Sequence, residues 1–564
     1  MKDFMNNNSG PDKFLINELI INYQNKNYTK TKNLAEKITE LYPNYFLAWK
    51  ILGFLQFKEN KINESIISLT HATKLNPKDY ETYNNLGRAN LVIGQLSDAE
   101  KAFFQSKSMK SDYFPAQYNL AMTYGKLGKF IEAEEVYKIA IRLNPNHAQS
   151  YYNLGNIFVK LNKPDKAEKA YRKAIEIKPD YSICFNNLGV IYWGLGKFEE
   201  SEKNYKMAIS LDSNNQDAYC NLGVTLQYMH KFDEAEDNYK KAIKINPNYA
   251  EAYSNWALTL MYKGCFKRSS KLSEWRWKTK KNKNKKFETN KPLWNNEDNK
   301  IIYVWREQGI GDEIMYCSMI NELIEEKSAK IILNCDKRLK SLFKRSLNKN
   351  IIYKDNTSIS ESEFDCHISM ASLANFLRFD TEKFNKTFNG YLIHNKDKTH
   401  QIRSTLTNKS VVKIIGISWK TTSTKELAEF RNIALKDLIK SINRSNVKFV
   451  NIQYGNTTEE ISKLKKEIDI DIVTFNEIDN FNDIDSLASV MAACDDIVTI
   501  DNSTAHLAGS LGLNTKLLLS SAPDVRWGYK GTSCFWYNSI KIYRQINLGD
   551  WTEPLKQLEQ DLEN

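Results

Sequence analysis

The chain has 564 residues, of which 41% are hydrophobic, 12% aromatic and 26% charged; this excludes a wholly disordered chain, and the length calls for about three or four domains. Its 80 Lys and Arg outnumber 68 Asp and Glu, a net charge of +12 that suits acidic or phosphorylated ligands without demanding nucleic acid as a partner. The eight cysteines lie far apart, form no Cys-x-x-Cys and do not cluster with the seven histidines, which argues against zinc or a disulfide framework and for a reduced, cytoplasmic setting.

At the start of the chain, Met1 to Asn8 contains no apolar stretch ahead of a cleavage site, so no secretory signal is expected. No apolar run reaches the ~18 residues of a membrane span either. The first half of the chain repeats every 34 residues. Prolines stand at 43, 77, 145, 179 and 247, with Ser111 and Ser213 in the skipped positions. Leu-Gly pairs recur at 52, 86, 154, 188 and 222, with Leu120-Ala121 and Trp256-Ala257 in the same register. Small residues recur at Ala99, Ala133, Ala167 and Ala235, and again at Ala72, Ala140, Ala174, Ala208 and Ala242. Two short antiparallel helices per unit explain all of this. Gly or Ala is needed where their axes come closest, Tyr137, Tyr171, Tyr205 and Tyr239 are expected to fill the space between neighbouring units, and proline closes the second helix.

These registers resemble the tetratricopeptide repeat. The reading expects a degenerate cap over residues 1–45, then a repeat superhelix over 46–277, with six full units from about 46 to 249 and a last helical pair from about 250 to 277. One further register is polar: Asn85, Asn119, Asn153, Asn187, Asn221 and Asn255 precede the small pair on the first helix. An amide offers donor and acceptor together, so a column of them suits an extended peptide backbone, and O-GlcNAc transferase has a similar ladder. The alternative is that Asn is simply a common residue at this position of a repeat.

Residues 278–295 form a basic linker, with Lys-Thr-Lys-Lys-Asn-Lys-Asn-Lys-Lys at 278–286. No aromatic residue interleaves those lysines, so a solvated connection is preferred to a nucleic-acid patch. Glu274-Trp-Arg-Trp277 just before it is either a docking surface for the second half or the core of the last helical pair.

The second half alternates strands and helices, α/β after α. Ile301–Trp305 reads as a strand, Gly309-Ile-Gly-Asp312 as a glycine turn, Ile314 to Glu326 as a helix and Lys330–Asn334 as a strand. A second beginning comes at 412–419, with further strands expected at 447–453, 470–474, 496–500 and 515–519. Two Rossmann-like domains, 296–405 and 406–564, would face each other across a cleft at the carboxyl ends of their strands. Asp312 opens a helix after the first strand; it is either a carboxylate favoured by the helix dipole or a general base. In Asp501-Asn502-Ser503-Thr504-Ala505-His506 a strand ends and a helix begins. Ser503 or Thr504 is expected to cap it, the free amides to receive phosphate oxygens, and His506 to add a proton or hydrogen bond. The plain reading of His506 alone is a satisfied helix histidine. Asp469-Ile-Asp471 and Asp483-Ile-Asp485 read as solvated surface, and no metal site is expected.

Gly309-Ile-Gly311-Asp312, Gly416-Ile-Ser-Trp-Lys420, Asn451-Ile-Gln453 and Asp501 to His506 together resemble the heptosyltransferase-like GT-B glycosyltransferases, in the layout that fuses them to tetratricopeptide repeats. Trp305-Arg-Glu-Gln, Glu274-Trp-Arg-Trp and Ala522-Pro-Asp-Val-Arg526-Trp527 resemble that fused group too. The likeness spans essentially the whole chain, strongest at 303–322 and 485–551 and weak at 340–410. It departs at Asn502-Ser503, where many heptosyltransferases have Thr-Gly or Ser-Gly.

The resemblance implies an acceptor-side first domain, a donor-side second domain and no cofactor beyond a nucleotide-sugar as substrate. It implies Asp312 as catalytic base. Gly309, Gly311, Lys420, Arg431, Gln453 and Asp501, Asn502, Ser503, Thr504, Ala505 and His506 are implied as donor and phosphate contacts, with Lys425 beside Arg431 in a loop over the diphosphate. It also implies inverting, metal-independent transfer, because placed cations would stabilise the leaving phosphate. The acceptor is expected to be a protein or peptide in the repeat groove, flagellin being one setting. The alternatives are a transferase acting on lipopolysaccharide or another glycan, with the repeats serving assembly, and a non-catalytic interaction scaffold.

Overall fold

The computed structural model describes residues 10–283, 285–386, 390–407, 413–423 and 427–563. The described residues of 1–191 and 210–212 form one compact unit, and those of 192–209 and 213–564 another.

Among the described residues sixteen helices come first, most of them in successive pairs. They are α1 (Lys13–Gln24) with α2 (Tyr28–Leu41), α3 (Phe46–Lys58) with α4 (Ile62–Leu75), α5 (Tyr80–Val92) with α6 (Leu96–Met109), and α7 (Phe114–Lys126) with α8 (Phe130–Leu143). Then come α9 (Ala148–Lys160) with α10 (Pro164–Ile177), next α11 (Ser182–Gly194) and α12 (Phe198–Leu211) where one unit gives way to the other, and in the second unit α13 (Gln216–Tyr228) with α14 (Phe232–Ile245) and α15 (Ala250–Tyr262) with α16 (Phe266–Ser273). The small registers are buried throughout: Ala72, Ala99, Ala133, Ala140, Ala167, Ala174, Ala208, Ala235 and Ala242 have no exposed surface.

Tyr171 and Tyr239 pack inside their own pair, which differs from the expectation that they fill the gap between units. A Cβ on Gly155 would lie 2.5 Å from the Tyr171 ring, and one on Gly223 would lie 2.6 Å from the Tyr239 ring. The glycine register is there to admit these rings. A register not expected from the sequence is the turn within each pair. Lys26, Asn60, Gly94, Gly128, Asn162, Gly196, His230 and Gly264, each 34 residues from the next, all have φ between 54° and 79°. This is the left-handed region, where Gly and Asn cost least and Lys26 and His230 are the exceptions.

The rest of the second unit holds two all-parallel sheets. Four strands, β1 (Ile301–Trp305), β2 (Lys330–Leu333), β3 (Ile352–Tyr353) and β4 (Cys366–Ser369), lie in the order β3-β2-β1-β4. Six more, β5 (Lys413–Ile417), β6 (Val447–Asn451), β7 (Ile472–Val473), β8 (Asp496–Ile500), β9 (Thr515–Leu519) and β10 (Ile540–Arg544), lie in the order β10-β9-β8-β5-β6-β7. Numbered within its own sheet, the second has the ~3-2-1-4-5-6 order of a doubly wound nucleotide-binding sheet, reversing between β5 and β8.

The helices between strands are α17 (Ile310–Cys317), α18 (Ile320–Lys327), α19 (Lys340–Ser346), α20 (Ala374–Leu377) and α21 (Lys396–Leu406). They are followed by α22 (Leu435–Ile442), α23 (Thr458–Ile468), α24 (Ile484–Ala492), α25 (Ser503–Ser510) and α26 (Thr552–Glu563). The single helix expected over 314–326 is two, α17 and α18, broken at Ser318-Met319. One apolar core runs through both sheets, from Trp294, Ile302 and Val304 to Val450, Leu517 and Ile542.

The basic linker ends against the first sheet, where Trp294 N–H donates to His367 O at 2.9 Å and His367 N–H to Pro292 O at 3.0 Å. Trp277 packs on Trp305 with ring centroids 5.1 Å apart, while Trp275 stacks on Tyr253 at 4.0 Å. Arg276 is half-buried, its guanidinium over the Trp277 ring. It forks onto Glu307 at 3.1 and 3.0 Å and also reaches Ser369 and Ser372. Within this unit the Glu-Trp-Arg-Trp segment therefore ties the last helices to the end of β1.

Candidate functional site

A cavity of about 320 Å³ opens at the carboxyl ends of β5 and β8, at the lower end of the range for small-molecule sites. From the first sheet's side it is lined by Gly309 to Asp312, Ile314 and Arg338. From the second it is lined by Thr421 to Ser423, Arg431, Tyr454, Asn480, Phe481, Asp501 to Thr504, His506 and Arg526.

Two helix starts converge there. Gly309 precedes α17, and its N–H donates to Asp312 Oδ2 at 3.1 Å. A Cβ on Gly311 would come within 2.9 Å of the His506 ring and 3.4 Å of Ser503 Cα, so this glycine lets α17 cross the start of α25. Asp312 and the 501–506 turn, far apart in sequence, share one cavity.

Most polar groups of the turn already have partners. The cap of α25 is Asn502, not Ser503 or Thr504 as expected. Its Oδ1 accepts from the Thr504 and Ala505 amides at 3.0 and 3.3 Å, and its Nδ2 donates to Ser418 Oγ at 2.8 Å. The side chain does this because it sits in extended backbone one residue before the helix, where its oxygen reaches the orphan amides. Those amides are thus not all free for phosphate. Asp501 accepts from Trp527 Nε1 at 2.6 Å and pairs with Arg431 at 3.2 Å.

His506 is buried. Its Nδ1 is 3.0 Å from the Tyr537 hydroxyl, and its ring stacks on Trp527 at 4.7 Å. Burial, with Arg526 nearby, pushes its pKa down to about 4. In this setting the imidazole favours its neutral form, which suits the hydrogen-bonding one of the two roles expected of it.

The cations are likewise engaged. Lys420 lies outside the cavity lining and points at Glu460, 2.7 Å away. Gln453 is buried behind the strand ends, where its Oε1 accepts from Ser418 Oγ and from the Trp419 and Lys420 amides at 2.9–3.0 Å. Lys425 lies outside the described residues. Arg338 forks onto Asp336, both contacts at 2.9 Å. Arg526, which the sequence presents only as part of the Ala522–Trp527 motif, pairs with both Asp312 and Asp524. Burial would raise the Asp524 carboxyl, but the Arg526 charge and amide together with Arg431 hold the group below the usual carboxylate range. Among the described residues no group of His, Cys, Asp and Glu is arranged to hold a metal, and no helix is long and apolar enough to cross a membrane.

The asparagine ladder is half-buried along the first helices. In the first unit Asn119 Nδ2 donates to Asn84 at 3.0 Å, Asn153 to Tyr118 at 3.1 Å, and Asn187 to Asn156 at 3.1 Å. In the second unit Asn255 lies 3.6 Å from Cys220 Sγ. Each of these donors reaches back into the preceding helical pair. Asn85 and Asn221 occupy the same register on α5 and α13.

Residues 114–147, 148–181, 182–215 and 217–249 match the sequence profile of the tetratricopeptide repeat. Protein FlbA of Caulobacter vibrioides is 26% identical over 281 residues, 46% of this chain and 46% of that protein; the chain spans about half the length of the curated relative it matches. Among solved structures it is similar to MamA, at 26% identity and TM-score 0.28, over 29% of this chain and 95% of that one. It is also similar to YrrB, described as a TPR protein with an unusual peptide-binding site, at 24% identity and TM-score 0.29, over 33% and 95%. The helical region of this chain carries tetratricopeptide repeats.

Proposed function

We propose that the chain is an inverting glycosyltransferase with a GT-B arrangement of two nucleotide-fold halves. It would move a sugar from a nucleotide-sugar onto a hydroxyl of a polypeptide held by the repeats. The observation that carries this reading is that Asp312 and the Asp501–His506 turn line one cavity at the carboxyl ends of two parallel sheets. In the proposed step Asp312 takes the acceptor hydroxyl proton as the oxygen bonds to the anomeric carbon. The bond from that carbon to the diphosphate breaks on the opposite face, and its electron pair leaves on the diphosphate oxygen. Arg431, Arg526 and the start of α25 line the same cavity and would meet that charge.

The test is transfer from radiolabelled nucleotide-sugars to proteins of a lysate, comparing the natural chain with Asp312→Asn. Loss of the base is expected to cost about 10²–10⁴-fold in rate. Equal transfer by the variant removes Asp312 from the chemistry, and no transfer from any donor favours the second reading. That reading is a protein-interaction scaffold. It is supported by the repeats and by the carboxylate partners that Lys420, Arg431 and Arg526 already have.

A further inference from the structure

Arg526 lies in a short helical turn, Val525–Trp527, after the second sheet's β9, but directs much of its charge to the first sheet's side. Its Nη2 pairs with Asp312 and donates to Gln308 Oε1 at 3.1 Å, while Nη1 pairs with Asp524 at 2.9 Å. Its Nε is buried without a hydrogen-bond partner among the described residues, and the side chain lines the cavity. Burial opposes the guanidinium charge, and Asp312 and Asp524, with Tyr316 and Asp501 behind them, together hold it in place. The two carboxylates are not equivalent. Asp524 sits two residues away in the same turn and also accepts the Arg526 amide at 3.2 Å. Asp312 comes from the opposite side and keeps the Gly309 amide at 3.1 Å if the pair parts. An anion entering the cavity therefore competes with Asp312, and Asp524 stays.

We propose that Arg526 is a transferable clasp. It grips Asp312 while the cavity is empty and passes to the diphosphate of a nucleoside diphosphate donor when one binds, leaving Asp312 free to accept a proton. This rests on the transferase reading, which supplies the diphosphate. The competition differs from simple loss of a repelling charge in the lining, because the gain from removing Asp312 depends on Arg526 being present. Removing the Asp312 charge frees Arg526, so it must tighten anion binding even as it abolishes transfer.

The test is calorimetric titration of the full chain with ADP, GDP, UDP and inorganic phosphate. Asp312→Asn is expected to bind the preferred nucleoside diphosphate about three- to tenfold more tightly than the natural chain. Arg526→Gln is expected to bind it about tenfold more weakly, with the double variant matching Arg526→Gln. Should Arg526→Gln fold poorly, Arg526→Lys takes its place in the same cycle, and a double variant that binds more tightly than the arginine variant alone overturns the clasp. Unchanged or weaker binding by Asp312→Asn, with the natural chain binding normally, overturns the clasp and leaves the transferase reading standing. No nucleoside diphosphate binding by the natural chain overturns both. Inorganic phosphate binding as tightly as any nucleoside diphosphate overturns the assignment of the ligand.

Discussion

The helical repeats and the cleft use polar side chains in opposite ways. In the repeats a contact can recur one unit along: Asn119 to Asn84 and Asn153 to Tyr118 are the same link made twice. In the cleft the contacts do not recur, and several join distant parts of the chain, as Arg526 does with Asp312 and Arg431 with Asp501. A repeat array is stabilised by nearest neighbours, so damage to one contact stays local. A cleft of unique pairs has no such redundancy, and a single change there alters what the site can bind.

The largest effect that can break this contrast is in the repeats. Phe103 on α6 has no exposed surface and fills the space above Gly87. Phe103→Ala is expected to cost the first unit about 3–5 kcal/mol, read by calorimetry as a lowered transition for that unit alone. An equal shift of the second unit's transition would show that the damage is not local.

A smaller effect sharpens the cleft side. The His506 pKa is held near 4 against an ordinary value of 6.5. Between those values the unfolded chain binds the proton and the folded chain does not, so this residue costs stability as pH falls from 6.5 toward 4. His506→Gln removes that cost. Relative to the variant, the natural chain is expected to lose about 2 kcal/mol between pH 7 and pH 5, measured by denaturant unfolding at both values. A difference independent of pH would place the imidazole in a wetter setting than the stack on Trp527.

The smallest effect concerns the exposed Lys26, held at φ 58° in the turn register. Lys26→Gly relieves the left-handed strain and is expected to stabilise the first unit by about 1 kcal/mol. No gain in its melting temperature would mean the turn is not strained.

Legibility in the sequence followed the same divide. The helical pairs could be read because Pro, Leu-Gly and Ala recur in fixed frames, each with one local cause. The nearness of Gly309–Asp312 to Asp501–His506 could be read as well, because both follow strands and strand ends gather at one edge of parallel sheets. What could not be read was pairing across the fold. Nothing near Arg526 in the chain points to Asp312, and nothing near Lys420 shows that it turns to Glu460 rather than into the cavity. The strand β4 was hidden because Cys366-His-Ile-Ser is buried on both faces yet carries polar residues, so neither alternation nor an apolar run announces it. The cap on α25 was misplaced by one residue, since Asn502, Ser503 and Thr504 are all capping residues and only backbone geometry selects among them.

The left-handed turns at 34-residue intervals have a practical consequence. Gly94 and Gly128 have nearly identical backbone angles, φ 79° and 77°, so excising residues 95–128 joins Gly94 directly to Lys129 and leaves α5 leading into α8 through the same bend. The molecule is therefore marked, at each such bend, with the places where it can be shortened or lengthened by a whole module without inventing a new corner.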